Sequence, residues 1–414
     1  MAPSHETVTK SLHDGRCMTQ TIELIYFNAG GGHRAAALAL DAVLRERGGR
    51  LEVRCTNVMD VLDPTGRFKR ITGMAPEDYY NKRLATGFTM GLAQELKVFQ
   101  GAIRFGHATL VRQLEQHWLR GEPDLVVSLI PNLNRPLCAS LASALPGVPF
   151  LTVMTDLADY SPDFWIVPDQ PQWLVCATDR AQEQALALGC EPSRVHRVSG
   201  MILRPDFYGQ PESTRVTRML ALGLNPERPT GLVLFGGHGS REMVKIAQEL
   251  AGVQLILLCG HNAALAAKLR ATPSQAPRAV VGFTSDVQRY MRLAHFFIGK
   301  PGPGSLSEAV HCGLPVVTVR NGWTLPQERY NTEWVTDHGL GVVGTSFGRL
   351  REPVQYLLAH LNDHCVRVRA MPPNRAVFEV ADLIERMVES TALSGPHPLA
   401  RLAASHFPAP LTRM

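Results

Sequence analysis

The sequence is poor in the features that would mark a membrane span, a secreted scaffold or a metal centre. Its 414 residues hold 8 cysteines, scattered singly, with no C-x-x-C and no paired spacing. That argues against a disulfide framework or a clustered zinc site, and no metal is expected; a reducing cytosol fits best. No stretch approaches the roughly 20 apolar residues of a bilayer-spanning helix. The first twenty residues lack an apolar core, so no signal peptide is expected there. The net charge is only +5, from 42 Lys+Arg against 37 Asp+Glu. That is too little for a polybasic nucleic-acid binder, and no nucleic-acid partner is expected.

What is present is unevenly spread. Between Pro64 and Gly121 lie nine basic and four acidic residues, an excess as large as that of the whole chain. Phe68, Tyr79, Tyr80, Phe88, Phe99 and Phe105 are interleaved with them. The segment reads either as an ordinary solvated face or as a surface that meets anionic lipid.

With 45% hydrophobic residues the chain can bury a sizeable core, and its length suggests two domains. Apolar runs such as "IELIYF", "PDLVVSLIP", "PFLTVMTDL" and "WLVCATD" read as buried parallel strands alternating with helices such as His33–Arg47. A second series begins at "TGLVLFGGHGSREMVKIAQEL" and continues through "VQLILLCG", "AVVGF" and "LPVVTVR". Two such series predict an α/β protein of two Rossmann-like parallel-sheet domains facing across a cleft. The expected boundaries are a flexible terminus at 1–20, an N-terminal domain at 21–205 with a candidate membrane-docking segment at 60–120, and a C-terminal domain at 206–370. A helix at 371–390, able to pack on either half, and a flexible tail at 391–414 complete the chain.

Three glycine loops stand where a strand hands over to a helix: Gly30-Gly31-Gly32, Gly236-Gly237-His238-Gly239 and Gly302-Pro303-Gly304. Unpaired N–H groups at a helix start attract anions, and glycine lets the backbone come close. The first loop also fits the loose dinucleotide pattern as Gly30-x-Gly32-x-x-Ala35, which keeps an NAD-dependent enzyme in view. The second strand ends Cys55-Thr56-Asn57, however, without the acidic residue that an NAD ribose wants.

The stretch "KPGPGSLSEAVHCGLPVVTVRNGWTLPQERYN" carries the most chemistry. A helix opening at about Ser305 would offer the N–H groups of Gly304 and Ser305, and the Ser305 hydroxyl, to a diphosphate. Glu308, one turn further, suits two vicinal hydroxyls such as those of a ribose. Gln327-Glu328, in a loop at the same sheet edge, suits sugar hydroxyls.

This stretch resembles the nucleotide-sugar site of family 28 glycosyltransferases of the GT-B fold. Within the family the likeness is to monogalactosyldiacylglycerol synthases and processive diacylglycerol glucosyltransferases. "NAGGGHRAAA", "VMTDLADYSPDFW" and "CATDRAQEQALALGCEPSRVHRVSGMILRPDF" resemble further blocks in the same order. The resemblance implies a UDP-sugar donor, a lipid acceptor and no cofactor. It implies Glu308 on the uridine ribose, Gly302, Gly304 and Ser305 on the diphosphate, and Gln327, Glu328 and Asn331 on the donor sugar. Phe283 would lie near the uracil, unless it is a core aromatic. Gly236, Gly237, His238 and Gly239 would assist the nucleotide. There are departures: Leu325-Pro326 replaces Pro-Gly before the Gln-Glu pair, and Trp323 is unexpected.

His33, at the start of a helix whose dipole disfavours a charged ring, is the candidate base on the acceptor side, with Gly31 and Gly32 beside it. Asp156, in "MTDLADY", is the rival base, or the group that orients the imidazole. The expected activity is an inverting hexose transfer from a UDP-sugar to diacylglycerol, on the inner face of the cell membrane from the cytoplasm. A UDP-sugar epimerase and a non-catalytic nucleotide-sugar binder are the further alternatives.

Overall fold

A computed structural model describes residues 19–28, 31–74, 77–78, 92–160, 164–209 and 215–393. Gly30, Tyr79, Tyr80, Phe88 and both expected flexible ends, except their innermost residues, lie outside these. The first domain carries β1 (Gln20–Tyr26), β2 (Leu51–Asn57), β3 (Leu125–Ser128), β4 (Phe150–Val153), β5 (Gln172–Cys176) and β6 (Val195–Arg197). They form one parallel sheet in the order β2-β1-β3-β4-β5-β6. The second domain carries β7 (Thr230–Leu234), β8 (Gln254–Leu258), β9 (Arg278–Val281), β10 (Phe296–Gly299), β11 (Val316–Val319) and β12 (Gly341–Gly344). Their order is β12-β11-β10-β7-β8-β9, again all parallel.

The unbroken apolar runs follow from this topology. Helices cover both faces of each sheet, so β3, β4, β7, β8, β10 and β11 are buried at every position. The strand order reverses between β1 and β3 and again between β7 and β10. Such reversals open a crevice at the C-terminal ends of the strands. The glycine loops after β1, β7 and β10 all stand at these crevices.

The two domains meet through an apolar seam in which Leu157, Ala177 and Met201 join one cluster with Leu306, Ala309 and Trp334. The chain crosses between the domains twice. The last helix, Ala376–Leu393, returns to the first domain: Val377, Val380, Ala381, Ile384 and Val388 pack on Ile22, Leu24, Leu40 and Val127. Arg47 clamps it through Asp382 and Glu385, each at 2.7 Å. This settles which half the C-terminal helix covers, and the helix runs three residues past the expected end.

The basic segment is helical where described: Val58–Leu62, Arg67–Thr72, Leu92–Phe105 and His107–Gly121. Val98, Phe99, Phe105 and Leu119 are exposed there, Phe105 almost wholly at 97%. Among the described residues no helix is long and apolar enough to cross a membrane.

Candidate active site

On the first domain the loop after β1 turns at Gly31, whose φ of 80° lies in the left-handed region that glycine tolerates. The helix Gly32–Arg47 starts there with no side-chain cap, and a side chain at Gly31 or Gly32 would meet nothing within 4 Å. The front of the loop is therefore open. His33 points back across the crevice, its Nδ1 2.9 Å from the Thr155 hydroxyl beyond β4. Burial holds the His33 ring down at about 4, against a smaller raising effect of the Leu129 backbone, so it is neutral at pH 7.

Asp156 is buried beside Thr155, and its Oδ2 accepts the indole N–H of Trp165 at 2.9 Å. Trp165, itself fully buried, also donates its backbone N–H to Asp159 at 3.0 Å. The indole lies 6.0 Å from the His33 ring, centroid to centroid. Burial pushes the Asp156 carboxyl up to about 7. The Trp165 hydrogen bond opposes this, Glu328 and Asp159 add to it, and Lys300 opposes it. Glu328 and Lys300 belong to the second domain, so the two crevices face each other closely enough to be felt electrostatically. His33 Nδ1 meets Thr155, while Asp156 pairs with Trp165.

On the second domain the helix expected from about Ser305 opens at Pro303 and runs to His311, with Gly302 as its cap. Proline at the first helical position has its φ preset and loses no bonded N–H, which moves the start forward. Gly304 and Ser305 thus stand in the first turn, where backbone N–H groups have no helical acceptor. The Ser305 hydroxyl donates to the Gly302 carbonyl at 3.3 Å. A Cβ at Gly302 would stand 3.3 Å from Lys300 and 3.6 Å from Glu328, so the turn is tight on one side, while Gly304 is open.

Lys300 pairs with the buried Glu328 at 3.0 Å, and Gln327 lies beside it in the turn Pro326–Glu328. Asn331 is wholly buried and donates from Nδ2 to the Pro301 carbonyl at 2.7 Å; its Oδ1 has no partner among the described residues. Burial pushes Glu308 up to about 7, with Arg204 opposing and Asp206 adding.

The loop after β7 needs its glycines. Gly236 and Gly239 have φ of 71° and 61°, and a Cβ on Gly239 would fall 2.6 Å from Leu265. Gly237 accepts the His261 N–H at 2.9 Å. The His261 ring stacks on Phe283 at 3.9 Å and 18°, and lies 6.0 Å from His238. Phe283 is 61% exposed, so it is no core aromatic.

Sequence reasoning missed Trp165, Thr155, Lys300 and His261. Trp165 and Thr155 stand within "VMTDLADYSPDFW", and Lys300 opens the glycine stretch; a tryptophan in a polar loop is the available signal. His261 carried none, because its stack joins the ends of two strands.

Comparison with known proteins bears on the fold and the family likeness. Residues 232–387 match the glycosyltransferase family 28 C-terminal domain. The chain is 27% identical over 336 residues to monogalactosyldiacylglycerol synthase 1, chloroplastic, of Arabidopsis thaliana, covering 77% of this chain and 61% of that protein. The chain thus spans about three fifths of the length of this relative. The structure of Acinetobacter baumannii MurG superposes with a TM-score of 0.56 at 14% identity, over 89% of this chain and 99% of that one. A UDP-N-acetylglucosamine 2-epimerase superposes with a TM-score of 0.51 at 13% identity, over 87% and 94%. At such identities these likenesses speak for the fold alone, which is GT-B. The C-terminal part of the chain thus matches the family 28 C-terminal domain, and the chain over three quarters of its length is similar to a monogalactosyldiacylglycerol synthase.

Proposed function

We propose that the protein transfers a hexose, with inversion, from a UDP-sugar to a lipid hydroxyl, diacylglycerol first among them. One observation carries the reading: a neutral imidazole and a near-neutral carboxyl on one domain confront a helix start, a lysine and a buried glutamate on the other. His33 takes the proton of the acceptor hydroxyl as its oxygen attacks the anomeric carbon. The bond from that carbon to the diphosphate oxygen breaks, and UDP leaves with the electron pair. Asp156, once ionised, favours the imidazolium through space, its own hydrogen bond being to Trp165. The first turn at Gly304 and Ser305, with Lys300, receives the leaving charge. Glu308 grips the ribose, Gln327 and Glu328 the hexose, and the exposed Phe283–His261 stack offers a flat face to the base.

The acceptor lives in a bilayer, and the exposed Val98, Phe99 and Phe105 among bases form a surface suited to reversible attachment. An NAD enzyme is less well supported, because Asn57 at the end of β2 caps the next helix instead of offering a carboxylate. The test is transfer from radiolabelled UDP-galactose, UDP-glucose and UDP-N-acetylglucosamine to diacylglycerol in mixed micelles, beside calorimetry with UDP and with NAD. We expect UDP binding, and transfer lowered about two to four orders of magnitude by His33→Ala. Binding of NAD in place of UDP, or equal transfer by His33→Ala, would overturn the reading.

A further inference from the structure

Behind the cleft, where the chain crosses between the domains, lies a cavity of about 740 Å³. It falls within the usual size of small-molecule sites. None of His33, Asp156, Lys300, Glu308 or Glu328 lines it. Both crossings do: Val198–Met201 on the way out and Met371–Asn374 on the way back. The crossings are bolted together beside it, Asn374 Nδ2 donating to the Met201 carbonyl at 2.9 Å and the Arg375 N–H to Ser199 Oγ at 2.7 Å. At Gly200 a Cβ would fall 2.7 Å from Asn374, so the seam has no slack. The cavity is therefore a fixed feature of the hinge.

Its chemistry is two-sided. Leu157, Met201, Val310, Trp334 and Met371 give apolar walls. At the rim stand Arg180, Arg197 and Arg369. Arg197 is paired with Asp179 at 2.7 Å, the one carboxylate of the lining; Arg180 and Arg369 have no ion-pair partner among the described residues. Two guanidiniums with no bonded carboxylate, beside apolar walls, match an anionic group on an apolar body. No residue of the exposed helices between 92 and 121 lines the cavity, so it is separate from that apolar surface.

We propose that this hinge cavity is a second binding site, for a compact organic anion with an aromatic or apolar body. A ligand there touches both domains at once. It also rests against Ser307, Val310 and His311, the rear of the helix whose front carries the candidate diphosphate turn.

The test uses the full chain and two fluorescent probes of similar shape, 8-anilinonaphthalene-1-sulfonate and the uncharged N-phenyl-1-naphthylamine. Wild type should bind the sulfonate saturably at one site, with saturating UDP present or absent. R180A/R369A should weaken the sulfonate by about tenfold or more, as loss of charge-assisted contacts does, and leave the neutral probe unchanged. V310W, which fills the chamber, should weaken both; if its thermal melt shows it unfolded, the arginine pair decides alone. Unchanged sulfonate affinity in R180A/R369A, as for a probe on the exposed helices, would overturn the proposal, and so would competitive displacement by UDP. None of these readouts depends on transfer.

Discussion

Trp165 donates its indole N–H to Asp156 across 2.9 Å, inside a pocket that leaves the aspartate 7% exposed. This bond favours the ionised form, while burial and Glu328 favour the protonated one. Asp156 consequently titrates at about 7, whereas His33, at about 4, stays neutral through the working range.

Transfer should therefore rise with pH through about 7 as Asp156 loses its proton. Asp156→Asn should abolish that limb along with most of the rate. Trp165→Phe removes the bond to the ionised form and should move the limb upward by roughly half to one pH unit. A pH–rate profile of kcat/KM for the three proteins checks this; a limb that stays put in Trp165→Phe disconnects the tryptophan from the titration.

Ligand-free stability should carry the opposite sign. Asp156 and Glu308 have folded-state values near 7, above their ordinary 3.8 and 4.5. Their contribution is fully present below those ordinary values and is lost as pH rises through about 7. Glu308→Gln should thus raise the melting temperature near pH 8, by roughly 2–5 °C, and change it little near pH 5. The same variant should weaken UDP binding by about tenfold through the lost hydroxyl contact. Calorimetric melts at both pH values, with UDP titrations, supply the readouts.

Lys300→Met leaves Glu328 buried without its partner and takes a positive charge away from Asp156. It should cost about 1–3 kcal/mol of stability, part of which returns in Lys300→Met/Glu328→Gln. Denaturant melts of the two single variants and the double variant form the cycle. If the double variant equals the sum of the singles, the pair is not coupled.

Surface attachment should depend on the exposed side chains of the helix Leu92–Phe105. Val98→Ser/Phe105→Ser should lower the affinity for anionic liposomes by roughly tenfold or more, given about 1.5–3 kcal/mol for each large apolar side chain buried. Raised salt should weaken wild-type binding further. UDP binding should be untouched. Flotation with anionic and neutral vesicles measures both effects; equal wild-type binding to the two vesicle types contradicts an electrostatic share.

Much of the frame was legible in the sequence, because strands covered on both sides read as continuous apolar runs. The run expected at Ile22–Phe27 is β1 at Gln20–Tyr26, and the helix expected at His33 starts one residue earlier. The order of strands within each sheet was not legible, since β10 slots beside β7 by a crossover that leaves no local mark. The loops at the strand ends were readable because glycine is demanded there by backbone geometry, as at Gly239. Side chains that act through a distant partner were not. Asn331, matched to the sugar-binding pair by resemblance, proves to brace the Pro301 carbonyl from full burial. Trp165 gained its meaning only when folding set it against Asp156 and His33.

The helix Ala376–Leu393 begins 350 residues after β1 ends at Tyr26, yet shares one apolar cluster with it. During synthesis the first sheet therefore emerges with an oily face uncovered, and it keeps that face until the ribosome has passed the second sheet and delivered Ala376–Leu393. The first half therefore cannot be sealed in order of emergence: its cover follows the whole second sheet, and the apolar face left open meanwhile is a hazard of the kind that chaperones shield.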